Sequence, residues 1–109
     1  MLKRMRRRYL GLKIDCDEML GSGEFMSAVW DAVLRLYGEY GASRAALALI
    51  DYDAAKKLVI LRTSHTTAGM VRAALASITK VHDRPVAVHV LAVSGTIRAL
   101  SEKMMEKHT

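Results

Sequence analysis

A chain of 109 residues, 51% of them hydrophobic, is long enough for one folded domain with a single core. No apolar run approaches the roughly 18 residues of a membrane span, and Asp15, Asp17 and Glu18 interrupt any signal-peptide core, so a cytoplasmic location is expected. The net charge of +6 excludes an acidic chain. Cys16 is the single cysteine, which excludes an internal disulfide, and its side chain is expected to be buried.

The positive charge is concentrated at the N-terminus, where five of the 17 Lys and Arg residues but no Asp or Glu residue lie within the first eight positions. A basic arm on a nearly neutral globule is typical of nucleic-acid binding, because each neutralised phosphate releases counterions. A solubilising tail or a membrane tether is the alternative, but the arm lacks an apolar helical face. Residues 1–7 are therefore predicted to be an arm and residues 8–109 one domain, with nucleic-acid phosphates held by Lys3, Arg4, Arg6, Arg7 and Arg8.

The first predicted strand, residues 8–15, alternates between apolar side chains and an outer face that includes Tyr9 and Lys13. A helix follows, with Ser22 as its candidate N-cap, and glycines at 38 and 41 are expected to end it. Trp30 and Tyr37 lie off the centre of its apolar stripe, so they are either the edge of that stripe or part of a protein-partner interface.

The second half of the chain predicts two strands, a helix, a strand and a final helix. The strands are residues 45–51 and 57–63, the second ending near Arg62, and they are joined by a connection of hairpin length. A helix then runs from about residue 68 to 80, and a fourth strand covers residues 86–93. The last helix, from Thr96 to about residue 107, is expected to bury Ile97, Leu100 and Met104.

This order of elements, βαββαβ followed by one helix, matches the ferredoxin-like α+β sandwich. Right-handed crossovers place the first and third strands in the middle of an antiparallel sheet, with two helices on one face. The C-terminal helix is expected to cover part of the other face, and a partner protein or a second copy of the chain the rest.

The stretch from Ser94 to Arg98 is the most informative short segment. Ser94 is a candidate N-cap, Gly95 permits a close approach by a ligand, and the free amides of the following helix favour an anion. Arg98 adds a cation with a geometry suited to phosphate. An ordinary capped helix that carries an arginine is the alternative, and these residues alone do not exclude it.

The fold by itself leaves the function open. Base stacking on the central strands is disfavoured, since the third strand has no aromatic residue and the first has only Tyr9. The histidines have no metal-ligand spacing, and the segment after the first strand lacks a glycine-rich phosphate loop. A binding module is favoured, with a ligand-binding regulatory domain or a metal-dependent nuclease as alternatives, the latter using the strand-end aspartates Asp15, Asp17, Asp51 and Asp53.

Five segments together give the chain a resemblance to a known family. From about residue 7 to about 105 it resembles the archaeal and eukaryotic ribonuclease P protein component 2 family, and the segment around Gly95 is the most specific part. The segments are Arg7-Arg8-Tyr9-Leu10, Gly38-Glu39-Tyr40-Gly41, Arg62, Val71-Arg72-Ala73-Ala74-Leu75 and Val93-Ser94-Gly95-Thr96-Ile97-Arg98.

The resemblance implies a protein subunit of ribonuclease P, the endonuclease that removes 5′ leaders from precursor tRNA; eukaryotic relatives also serve ribonuclease MRP. It implies that the RNA subunit is the catalyst and uses Mg²⁺, that this chain has no catalytic residue and binds no cofactor, and that its partners are the RNA, precursor tRNA, protein component 3 and other subunits. The expected RNA-binding residues are then the basic arm together with Tyr9, Lys13, Arg62, Ser94, Gly95, Thr96 and Arg98; Trp30 and Tyr37 are expected to contact protein.

Overall fold

The computed structural model describes the backbone of residues 6–108 and the side chains of residues 6–105. Four long strands and three helices make up most of it, and a 3₁₀ turn and a small hairpin complete it. The elements are β1 (Arg7–Asp15), α1 (Ser22–Ala45), β2 (Ala48–Asp53), β3 (Leu58–Ser64), the 3₁₀ turn (His65–Thr67), α2 (Ala68–Ala76), β4 (Lys80–Val81), β5 (Arg84–Pro85), β6 (Ala87–Ser94) and α3 (Ile97–His108).

The main sheet has the strand order β2-β3-β1-β6, and every neighbouring pair is antiparallel. The first and third strands are therefore central, which confirms the ferredoxin-like arrangement predicted from the order of elements. The sheets differ from the prediction in two respects: β2 begins three residues later than expected, and the hairpin of β4 and β5 was not predicted. Among the described helices, none is long and apolar enough to cross a membrane.

The main core lies between the sheet and the layer formed by α1 and α2. Leu10, Leu12 and Ile14 alternate along β1 and are fully buried, and they pack in one cluster with Phe25 and Val29 of α1. Alternation at a period of two residues places all three on the same face of the sheet. Removal of this apolar surface from water is the main contribution to the stability of the domain.

The other face of the sheet is covered in part by α3. Leu100 and Met104 form a second buried cluster with Ala92 of β6, as expected from the helical spacing. Gly11 of β1 permits this packing, because a Cβ atom at Gly11 would lie 2.3 Å from Sδ of Met104. The predicted burial of Ile97 is wrong: its side chain is 42% exposed, since it precedes the turn at which α3 meets the sheet.

Helix α1 begins and ends differently from the prediction. Gly21, not Ser22, occupies the N-cap position, and Oε1 of Glu24 accepts a hydrogen bond from its amide at 3.2 Å. The helix does not end at Gly38. That residue interrupts it with φ 74° and ψ −179°, a conformation that is essentially restricted to glycine, and helical structure resumes and runs to Ala45.

Hydrogen bonds from hydroxyl groups at the end of β3 connect this strand to the end of α1. Oγ1 of Thr63 donates to the carbonyl of Ala45 at 2.6 Å, and Oγ of Ser64 donates to the carbonyl of Arg44 at 3.1 Å. Oγ1 of Thr67 lies 3.0 Å from Oγ1 of Thr63 and joins the 3₁₀ turn to the same network. The last turn of α1 is therefore held against the C-terminal end of the central strand β3.

Candidate nucleic-acid interface

Six arginines lie near the points where β1 and α3 begin and where β3, β6 and α1 end. The antiparallel register places these chain segments together, because Arg7 pairs with Ser64 of β3 and Tyr9 pairs with Ser94 of β6. The backbone amide of His65 also donates to the carbonyl of Arg6 at 2.8 Å. We call this surface the basic end, and its residues are Arg6, Arg7, Arg8, Arg44, Arg62 and Arg98.

Three of the predicted RNA-binding residues are neighbours across adjacent strands of the sheet. Tyr9 pairs directly with Arg62 on one side and with Ser94 on the other. Side chains opposite one another in a sheet lie on the same face. Tyr9 is half-buried against the α3 cluster, and Arg62 is half-exposed beside it. The structure therefore brings Tyr9, Arg62 and the segment before α3 together.

Gly95 lies directly beside an arginine. An ideal Cβ atom built on Gly95 would come within 3.3 Å of Nη1 of Arg8. The same guanidinium donates to the carbonyl of Arg7 at 3.1 Å through Nη1. The absence of a side chain at Gly95 thus leaves room for the Arg8 guanidinium next to the N-terminus of α3, where the helix dipole and the arginine both favour an anion.

The N-cap of α3 is Thr96, so the prediction of Ser94 as the capping residue is wrong. Oγ1 of Thr96 accepts from the amide of Ala99 at 3.2 Å, and the carbonyl of Thr96 accepts the first helical bond, from Leu100, at 3.1 Å. Ser94 is instead the last residue of β6 and is buried. Both residues have capping propensity, and the length of the strand decides which of them begins the helix.

Replacing Thr96 by alanine is expected to lower the free energy of unfolding by about 1 kcal/mol, because the amide of Ala99 loses its acceptor. Chemical denaturation of the two proteins measures this difference. Ser94→Ala is the matched control and should change stability less. A larger loss for Ser94→Ala than for Thr96→Ala would contradict the capping assignment.

Within the described part of the chain, Arg98 is the only arginine of the basic end that forms an ion pair with a carboxylate. The other ion pairs there are made by His82 and Arg84. Arg98 pairs with Glu102 one turn later at 3.8 Å, and its side chain remains 93% exposed. A concentration of cations without nearby counter-charges produces a positive field that attracts polyanions.

Acidic residues lie mainly towards the opposite end of the sheet. Asp15 ends β1, Asp53 ends β2, and Glu24 stands in the first turn of α1. Lysines and Arg84 are interspersed there, and Arg84 pairs with Glu18 and Glu24 at 3.8 and 3.6 Å. The two ends of the domain therefore differ in electrostatic character, one basic and one mixed.

Some predicted residues lie away from the basic end or outside the described residues. Nζ of Lys13 donates to the carbonyl of Lys56 at 2.9 Å. Lys13 is six residues from Arg7, which corresponds to about 20 Å along β1 at the usual rise of a strand. Trp30 packs partly against the main core, and Tyr37 is exposed on α1. Lys3 and Arg4 belong to residues 1–5, which lie outside the described part of the chain, so their roles remain predictions.

One residue of the basic end was missed in the sequence. Arg44 was assigned no role because α1 was expected to end at Gly38 and Gly41. The spacing of four residues between Tyr40 and Arg44 is the signal that could have found Arg44, since side chains at i and i+4 are neighbours on a helix. Cζ of Arg44 indeed lies 5.6 Å from the centre of the Tyr40 ring.

The strand-end aspartates do not form a metal centre in this structure. Among the described residues, no three His, Cys, Asp or Glu side chains lie close enough to hold one ion together. Asp53 has a turn role, because Oδ1 accepts from the amide of Lys56 at 3.1 Å.

Burial, and then the charges of Cys16 and Glu24, raise the pKa of Tyr52 above its ordinary value. The Tyr52 hydroxyl donates a structural hydrogen bond to the carbonyl of Leu20.

Comparisons with known proteins agree with the geometry. The family model described as Rpp14/Pop5 family matches residues 8–105. Ribonuclease P protein component 2 of Methanocaldococcus jannaschii is 37% identical over 94% of this chain and 75% of its own length, and that of Methanosarcina acetivorans is 31% identical over 97% and 79%. A chain from the cryo-EM structure of yeast ribonuclease MRP has the same fold, with a TM-score of 0.71 at 16% identity over 99% of this chain and 95% of that one.

Proposed function

The chain belongs to the Rpp14/Pop5 family of ribonuclease P protein subunits, and from this premise we propose that it binds the RNA subunit of that enzyme through its basic end. The observation that carries the proposal is the cluster of arginines, most of them without an internal ion pair among the described residues, beside the N-terminus of α3. Arginine forks and helix amides both suit phosphate oxygens.

The role of such a surface is electrostatic. An RNA that folds into a compact catalytic domain brings its phosphates close together, and the resulting repulsion opposes folding. Arginines at fixed positions lower this repulsion and release counterions. In the proposed mechanism the RNA subunit and its Mg²⁺ cut the 5′ leader from precursor tRNA, and this chain supports the RNA structure without supplying a catalytic group.

The proposal also includes a protein partner, component 3 of the same enzyme, and further subunits. Apolar side chains on one side of α1 are available for such contacts: Leu34 and Tyr37 are exposed, and Trp30, at helical spacing from both, is half-exposed. Exposed apolar side chains that lie together are typical of protein interfaces. This part of α1 lies on the opposite side of the sheet from α3.

Arg98→Ala tests the RNA contact. The variant should bind the RNA subunit severalfold more weakly, and the plot of log affinity against log salt should become shallower by about one unit, because one phosphate contact is lost. Its free energy of unfolding should change by less than about 0.5 kcal/mol, since the exposed pair with Glu102 contributes little.

Glu102→Ala is the matched control, because it breaks the same ion pair and leaves the arginine in place. It should bind RNA as well as the original chain or better. An Arg98→Ala protein with unchanged RNA affinity and reduced stability would make Arg98 a structural residue and contradict its assigned role.

A further inference from the structure

Tyr40 is an aromatic side chain in an unusual position. At 75% exposure it is the most exposed of the large hydrophobic side chains among the described residues. Its ring stands 5.6 Å from Cζ of Arg44, a distance at which a guanidinium and an aromatic face attract each other. Most of the residue remains open to solvent, so the ring is accessible to a ligand.

Two glycines hold Tyr40 in this position. The backbone of Gly38, with φ 74° and ψ −179°, breaks α1 and redirects the segment that carries Tyr40 and Arg44. Gly41 then lies against Tyr37: a Cβ atom at Gly41 would come within 2.6 Å of Cβ of Tyr37. Both glycines are therefore required by the local geometry, and they determine where the tyrosine points.

The far end of the same segment is anchored at the basic end. The carbonyl of Arg44 accepts from Oγ of Ser64, and Ser64 pairs with Arg7 across β1 and β3. The carbonyl of Ala45 accepts from the fully buried Thr63. The backbone of Arg44 is thus held by Ser64, which pairs across the sheet with Arg7 of the basic end.

We propose that Tyr40 and Arg44 form a stacking site for an unpaired base of RNA. The site rests on the proposed RNA-binding function and adds to it a preference for a single-stranded segment. The exposed ring face would stack on a base, Arg44 would support the ring and contact a phosphate, and the neighbouring arginines would hold the adjoining backbone. An RNA occupant is favoured over a protein because an arginine lies against the ring and, within the described structure, Arg44 forms no ion pair with a carboxylate.

The test compares binding of a single-stranded oligouridine and a blunt RNA duplex of equal length to the full chain. Tyr40→Leu should weaken binding of the single strand at least about fivefold, because stacking on one base is lost. Binding of the duplex should stay the same, and so should the salt dependence, because no phosphate contact is removed. Tyr40→Phe is the matched control and should retain the original affinity.

Two results would overturn the inference. One is equal affinity of the Tyr40→Leu and Tyr40→Phe proteins for the single strand. The other is an equal loss for single strand and duplex. A double variant, Arg7→Gln with Arg8→Gln, tests the proposed RNA-binding function separately from the stacking site. If the double variant loses RNA affinity while Tyr40→Leu does not, only the stacking site is wrong.

Thermal unfolding of each variant excludes a folding defect, which the high exposure of Tyr40 makes unexpected. Ultraviolet crosslinking of thiouridine-labelled RNA to the original chain gives an independent measurement. The crosslinked peptide should contain Tyr40. A crosslink pattern that omits this peptide would count against the site.

Discussion

Replacing Gly11 by valine should lower the free energy of unfolding by about 2–3 kcal/mol, the largest stability effect that we expect from a single substitution on the α3 face. The new Cβ atom would overlap Sδ of Met104 at 2.3 Å and Cγ at 2.9 Å. Met104 is a buried residue of α3 that contacts β1, so relief of the overlap requires its side chain to leave this contact or the helix to move away from β1. Denaturant titration followed by circular dichroism measures the loss.

Gly23→Ala is the control for this substitution, because Gly23 lies in the first turn of α1 and a Cβ atom there would meet nothing within 4 Å. Its stability should equal or slightly exceed that of the original chain, since alanine is the better helix former. Addition of Met104→Ala to Gly11→Val should recover part of the loss. A Gly11→Val protein as stable as the original would contradict the position of α3 on the sheet.

Substitution of Arg7 and Arg8 together by glutamine should have the largest effect on RNA binding. Both arginines lie at the start of β1, and Arg8 stands beside Gly95 at the N-terminus of α3. Loss of two phosphate contacts should reduce affinity by about tenfold or more at low salt and make the salt dependence shallower by about two units. Filter binding or fluorescence anisotropy over a range of salt concentrations gives both quantities.

Arg84→Gln provides a charge-matched comparison at the other end of the domain. Arg84 pairs with Glu18 and Glu24, so its charge is already compensated. This variant should bind RNA with nearly the original affinity and salt dependence. If Arg84→Gln weakens binding as much per charge as the Arg7 and Arg8 substitutions, RNA would be attracted by net charge alone and the basic end would not be a defined site.

The sheet was predictable because its strands carry strong local patterns. Leu10, Leu12 and Ile14 alternate with polar residues, and that period alone assigns a strand with one buried face. Short connections and right-handed crossovers then leave few ways to order four strands. The placement of Tyr9, Arg62 and Ser94 in one row follows from that order.

The ends of the helices were less predictable, because several neighbouring residues satisfy the same local rule. Ser94 and Thr96 are both good N-caps, and only the pairing of β6 with β1 up to Ser94 decides between them. Gly38 looks like a helix end, yet the buried hydroxyl of Thr63 stabilises a further helical segment that ends at Ala45. Tertiary hydrogen bonds of this kind have no signature in the local sequence, so the continuation of α1 to Ala45 was missed.

The measurement that tests the central claim most directly is recovery of RNA with a tagged form of the full chain from its native host. The account predicts one dominant structured RNA in the eluate, cleavage of precursor tRNA at the 5′ leader by that eluate, and loss of both when Arg7 and Arg8 are replaced by glutamine. Recovery of the chain with no enriched RNA, or with RNA that the substituted protein retains equally well, would contradict the claim that the basic end binds the RNA subunit of ribonuclease P.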